Sequence, residues 1–140
     1  CLRVPPAVAE RWGGAPGKQV VGQAELAPVV VAKQAWAARL RGRLVLHFVD
    51  NDSARCALVR GYSPVFSSCA LVAEAALEDV RLHLGSWYAR VPTLSNIADY
   101  PSRFERDKML ADYPGAKEVW PRLPEWWHGA PLPLEVRAPR

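Results

Sequence analysis

At 140 residues, half of them hydrophobic, the chain is long enough for one domain with a sizeable core and too short for two ordinary ones. Its 18 Lys and Arg against 14 Asp and Glu give a net charge of +4, which suits an acidic or phosphate-bearing partner without requiring one. Cys1, Cys56 and Cys69 form no C-x-x-C pair and no His lies at zinc spacing, which argues against a disulfide framework and a zinc site, and no apolar run approaches the roughly 18 residues of a membrane span. A reducing, intracellular compartment is the expectation, organellar if a presequence has been removed.

Residues 1–22 read as an entry segment rich in Pro and Gly, with Ala7–Trp12 its one candidate helix. From Ala24 the apolar positions Leu26, Val29, Val30, Trp36 and Leu40 recur at helical spacing, predicting a helix over 24–41 with Pro28 tolerated in its first turn and Gly42 as its stop. Residues 43–49 are apolar on both faces apart from Arg43 and His47, as expected of a central strand covered by helices on both sides. Asp52 or Ser53 is placed to cap a short helix to Arg60, ended by Gly61. After a Ser63-Pro64 turn, Ser67 or Ser68 is placed to cap a second helix. It should run to about Leu84, burying Ala73, Leu77, Val80 and Leu84, and close at Gly85. Ser86–Val91 alternates as a second strand and Pro92 ends it. Residues 101–140 hold seven of the thirteen prolines together with Trp120, Trp126 and Trp127, the pattern of an extended arm whose tryptophans anchor on the protein's own body or on a partner.

Asp50 closes the first strand, the position at which α/β proteins tend to place their chemistry. Glu25, at the front of the preceding helix, and Asp99, after the second strand, are placed to meet it. Each acid also has a plainer reading. Glu25 is favoured by the helix dipole, Asp50-Asn51-Asp52 reads as a turn and cap, and Asp99 can cap a final turn. Arg39, Arg41 and Arg43 read as a solvated helix end more readily than as phosphate contacts. His47 fits a satisfied interior histidine, His83 and His128 fit surface groups, and Cys56 and Cys69 fit small buried hydrophobes.

Several short blocks, in order, carry a family resemblance. They are Gln23-Ala24-Glu25-Leu26 with Val29 and Val30, Phe48-Val49-Asp50-Asn51 with Ser53-Ala54, Arg60-Gly61-Tyr62-Ser63, Arg90-Val91-Pro92, and Asn96-Ile97-Ala98-Asp99-Tyr100-Pro101-Ser102-Arg103. Over about residues 17–104 the chain resembles the ribonuclease H-like domain that follows reverse transcriptase in retroelement polyproteins. The resemblance implies an α/β fold, metal-dependent cleavage of the RNA strand of RNA–DNA hybrids, and Mg²⁺ or Mn²⁺ held by Glu25, Asp50 and Asp99 as three of the four metal-binding acids. The family's first acid lies on a three-strand hairpin sheet ahead of the Glu-bearing helix; here only 24 residues precede Glu25, none reading as three strands, and Glu10 is their one acid, in a candidate helix.

The chain therefore reads as a fragment of a longer polyprotein or a descendant without the hairpin. It divides into an entry segment (1–22), a ribonuclease H-like core lacking the initial hairpin (23–104) and an irregular Trp/Pro-rich arm (105–140). Two functions follow. One is a non-catalytic structural or accessory subunit of a protein assembly, docked through Trp120, Trp126 and Trp127. The other is a nuclease domain acting on RNA–DNA hybrids.

Overall fold

The computed structural model describes residues 3–13, 20–117, 119, 120 and 122–131. The Gly/Pro-rich stretch 14–19, Cys1 and the end of the arm lie outside them. The fold is mixed α/β: α1 (Pro6–Gly13), α2 (Val21–Ala35), the single turn α3 (Ala37–Leu40), β1 (Leu44–Val49), α4 (Asp52–Arg60), α5 (Phe66–Leu82) and β2 (Gly85–Arg90), followed by the short helices α6 (Asp99–Ser102) and α7 (Arg106–Asp112). Between α7 and the end of the described chain lies one 3₁₀ turn, Glu125–His128.

β1 and β2 pair in parallel, Leu44 opposite Gly85 and Val49 opposite Arg90. A parallel pair needs a crossover, and α4 and α5 supply it. Where the strands begin, Gly42 N–H donates to Leu82 O at 2.9 Å and Gly85 N–H to Arg43 O at 3.0 Å, which sets the register. Gly42 and Gly61 stand at φ 69° and 68°, in the left-handed region that ends a helix without a Cβ clash.

The core lies between α2, α5 and one face of the sheet. Leu26, Ala27 and Val30 of α2 meet Leu71 and Ala75 of α5, with Val49, Ala54 and Leu58 closing it from the strand and α4. Each fully buried Leu or Val contributes about 1.5–3 kcal/mol. Val8 and Trp12 of α1 belong to this core, so the entry segment is part of the folded body.

Several expectations are corrected. α2 begins at Val21, so Pro28 sits in its eighth position and not in the first turn. There it removes the N–H that would bond to Ala24 O, and its ring faces solvent. The helix expected to reach 41 breaks at Trp36, whose φ −111° and ψ 22° leave the helical region, and resumes for one turn. Asn51, not Asp52 or Ser53, caps α4, its Oδ1 accepting from Ala54 N–H at 2.9 Å. α5 starts at Phe66 behind Val65, with no side-chain cap, and ends at His83 in the left-handed conformation (φ 53°). Ser67 and Ser68 lie inside it and are buried; Gln23 Nε2 donates to Ser67 Oγ at 3.0 Å. Val80, expected inside, is exposed, because the buried face of α5 carries Glu74 and Glu78.

β1 is not covered on both sides by the described residues. Leu44 (93% exposed), Leu46, Phe48 (63%) and Trp87 (72%) line an open apolar face of the sheet, and the edge of β1 away from β2 pairs with no described strand. No described helix is long and apolar enough to cross a membrane.

The arm divides its tryptophans. Trp126 and Trp127 are buried, their rings edge to face at 5.6 Å, while Trp120 is exposed. Arg11 of α1 donates to the carbonyls of Gly129 and Ala130, tying the arm to the start of the chain. Trp126 and Trp127 are thus engaged within the chain, which leaves Trp120 as the described tryptophan of the arm open to a partner.

Candidate acidic centre

The parallel strands place their carboxyl ends side by side. β1 runs straight into Asp50, and Asn51 turns the chain by capping α4. β2 leads through Pro92 and the 3₁₀ turn Thr93–Ser95 to Asn96, whose Oδ1 accepts from Ala98 N–H at 3.1 Å. That turn starts α6 at Asp99. Glu25 reaches the same end from the second turn of α2, a helix pinned by Leu26, Val29 and Val30 in the core.

The three acids meet there. Asn96 Nδ2 donates to Asp50 Oδ2 at 2.9 Å and to Asp99 Oδ1 at 3.2 Å, so one amide spans two carboxylates from different strand ends. Burial raises the Glu25 carboxyl above its usual value, and the Asp50 charge, a hydrogen bond to Asp50 and the Asp99 charge push it the same way. This is how crowded carboxylates respond: one holds a proton that the next accepts. Arg103 pairs with Asp99 at 3.1 Å, and Asp52 pairs with Arg55 at 3.2 Å and Arg90 at 3.4 Å. Arg103 is thus the guanidinium that pairs with one of the three acids, while Arg55 and Arg90 pair with Asp52.

The donors suit a hard divalent cation, which takes carboxylate and amide oxygens. Glu25, Asp50 and Asp99 would hold it, although Asn96 occupies one oxygen of each aspartate and Arg103 the other oxygen of Asp99. They do not yet form a closed ligand shell; among the described residues no three His, Cys, Asp or Glu side chains stand arranged to hold a metal ion. No described residue stands as a fourth acid among them.

Asn96 was visible in the sequence only as a neighbour of Asp99; its role as the bridge depends on the loop after β2. A second polar group left no sequence signal at all. Lys33 of α2 is completely buried, and its Nζ donates to Asp79 Oδ1 at 2.6 Å, Tyr88 OH at 2.9 Å and Ala75 O at 3.1 Å. Ser86 Oγ donates to the same Asp79 oxygen at 2.8 Å and lies 3.3 Å from His47 Nε2, while His47 stacks on Tyr88 at 5.1 Å. Burial and Lys33 lower the His47 pKa, against an opposing pull from Asp79. This network ties α2, α5 and both strands together beneath the strands that carry the acids, a supporting role.

Cys56 and Cys69 are half-buried free thiols, and His83 and His128 are exposed. Compared with known proteins, the chain matches no family model, no curated protein and no solved structure.

Proposed function

We propose that the chain carries three of the four acids of a ribonuclease H-type nuclease centre acting on RNA–DNA hybrids, as in retroelement polyproteins. A further polypeptide segment then supplies the fourth carboxylate and pairs with the free edge of β1. The observation that carries this reading is the Asn96 amide spanning Asp50 and Asp99, close enough to Glu25 that, with burial, their charges raise its carboxyl pKa. Three acids from a helix, a strand end and a loop meet in one place, in the chain order the resemblance implies.

Bound divalent cations would supply a Lewis acid and an activated water to phosphodiester cleavage. Within this chain Glu25, Asp50 and Asp99 hold the charge, Asn96 fixes the spacing of two of them, and Glu25 must release its proton for the site to load. Arg103, paired with Asp99, and Arg90, paired with Asp52, are both largely exposed and would be the cations offered to a nucleic-acid backbone.

The test is Mn²⁺ titration of the chain by NMR, since the paramagnetic ion broadens signals near it. Broadening confined to residues around Glu25, Asp50, Asn96 and Asp99, and abolished by Asp50→Asn, supports the reading. No localised broadening, or broadening that Asp50→Asn leaves untouched, overturns it. Hybrid cleavage is then assayed in the assembled protein with Asp50→Asn as control.

A second reading, a non-catalytic accessory subunit, is favoured by one observation: the open apolar face of Leu44, Leu46, Phe48 and Trp87 beside an unpaired strand edge. Such surfaces are normally paired or covered. Under this reading Phe48→Asp breaks the assembly and Asp50→Asn changes nothing.

A further inference from the structure

We propose that the open cavity lined by the end of α2, α5 and the C-terminal arm is a binding site for a guanidinium or primary ammonium group, anchored by Glu74. The cavity measures about 560 Å³, within the usual range for small-ligand sites, and its wall includes Gln34, Glu74, Arg81, Arg122, Leu123 and Trp126. It shares no residue with the acidic centre, so the proposal stands apart from the nuclease reading.

Glu74 is wholly buried, and its two oxygens are treated differently. Oε1 accepts from Arg81 at 3.0 Å and from Gln34 Nε2 at 3.3 Å, whereas Oε2 accepts from nothing. A buried carboxylate oxygen without a donor is rare, because burial strips it of water and returns nothing. Arg122, on the same wall, makes no hydrogen bond with that oxygen. Gln34 is locked, since its Nε2 also serves Glu78 at 3.0 Å and its Oε1 accepts from the Trp126 indole N–H at 3.1 Å. Arg81 serves Glu78 as well, at 2.7 Å, so two buried carboxylates share one guanidinium. The nearest buried cation, Lys33, has all three N–H groups committed elsewhere.

The missing partner is therefore a donor, and a positively charged one matches the two buried carboxylates that share Arg81. A guanidinium or ammonium head needs only one or two acceptors and gains from an aromatic neighbour, which Trp126 provides. The Arg81 side chain on this wall is half-exposed. The head group can belong to a free amine or guanidine, or to a basic side chain of a peptide.

The experiment titrates agmatine, as the free probe, and acetyl-Gly-Arg-Gly-amide, as the side-chain probe, into the chain. The Trp126 indole N–H and the Gln34 side-chain amide are followed by ¹H–¹⁵N NMR. Saturable shifts at both signals are expected from at least one probe, and the tighter probe identifies the source. Glu74→Gln should weaken binding at least tenfold, roughly one charge-assisted hydrogen bond, whereas Trp120→Ala, outside the cavity, should leave it unchanged. N-butylurea, a neutral donor of similar size, supplies a control on the unmutated chain. The proposal is overturned by the absence of saturable shifts with millimolar probe, by N-butylurea binding as tightly as agmatine, or by a folded Glu74→Gln variant that binds within about twofold of the parent.

Discussion

Replacing Lys33 by Met keeps the length of the side chain and removes its charge and all three donors. Asp79 would then keep only its bond from Ser86, and Tyr88 OH and Ala75 O would lose the ammonium. Truncating one partner of a buried ion pair costs about 3–5 kcal/mol because the other charge stays behind. The Asp79 side chain is 21% exposed and regains some water, which places the expected loss near the lower end, about 3 kcal/mol. At about 3 °C per kcal/mol for a chain of this size, Tm should fall by about 10 °C. Urea unfolding at neutral pH reads the free energy directly, with the m-value checking that the native state stays compact. The double variant Lys33→Met/Asp79→Leu should recover at least about half of the loss, since a buried pair replaced as a unit by apolar groups is often neutral. A Lys33→Met cost below about 1 kcal/mol, the range of an exposed pair, would refute the claim that this ammonium is sealed in the core.

Further outcomes follow from the same contacts. Because the raised Glu25 carboxyl keeps its proton in the folded chain where the unfolded chain has lost it, stability should decline as pH rises from about 4.5 through the raised value; urea midpoints across pH 4–8 should show this slope, and Glu25→Gln should abolish it and stabilise the chain at neutral pH. His47 acts in the opposite sense: its lowered pKa means the unfolded chain takes up a proton first, so stability falls as pH drops below about 6.5, and an NMR titration should find its midpoint beneath that ordinary imidazole value. Trp126→Ala should cost about 3–5 kcal/mol and shift tryptophan fluorescence, while Trp120→Ala should stay within about 0.5 kcal/mol in thermal unfolding. Asn51→Ala, which removes the cap at the start of α4, should cost about 1 kcal/mol by the same measurement.

Local chemistry was legible where a single residue decides it. Gly42 and Gly61 were readable as helix stops because only a residue without a Cβ adopts those angles cheaply, and Asp50 was readable as the end of β1 because a hydrophobic run stops there. What escaped depends on partners distant in sequence. Ser67 and Ser68 looked like caps, but Gln23, 44 residues earlier, holds Ser67 inside. Lys33, Glu74 and Glu78 left no signal of burial in the sequence, since their burial rests on Asp79 for Lys33 and on Arg81 and Gln34 for the two glutamates. That is why the buried face of α5 was misjudged: an apolar periodicity does not count a charged residue that has found its counter-charge. Of the acidic centre, the three carboxylates could be named from their order, whereas the Asn96 bridge required the loop after β2 to be seen closed.

The clasp between the two ends of the chain bears on how the protein is made. Trp126, Trp127 and the carbonyls gripped by Arg11 lie more than a hundred residues from the α1 surface they cover, and α5 ends 45 residues before Trp127. At about 5–20 residues per second of synthesis, Val8, Trp12 and the neighbouring face of α5 wait roughly 2–9 s for their lid. During that interval the nascent chain presents a greasy flank and an unpaired strand at once, the combination that holding chaperones recognise, and a ribosome stalled before residue 126 would release a polypeptide prone to self-association.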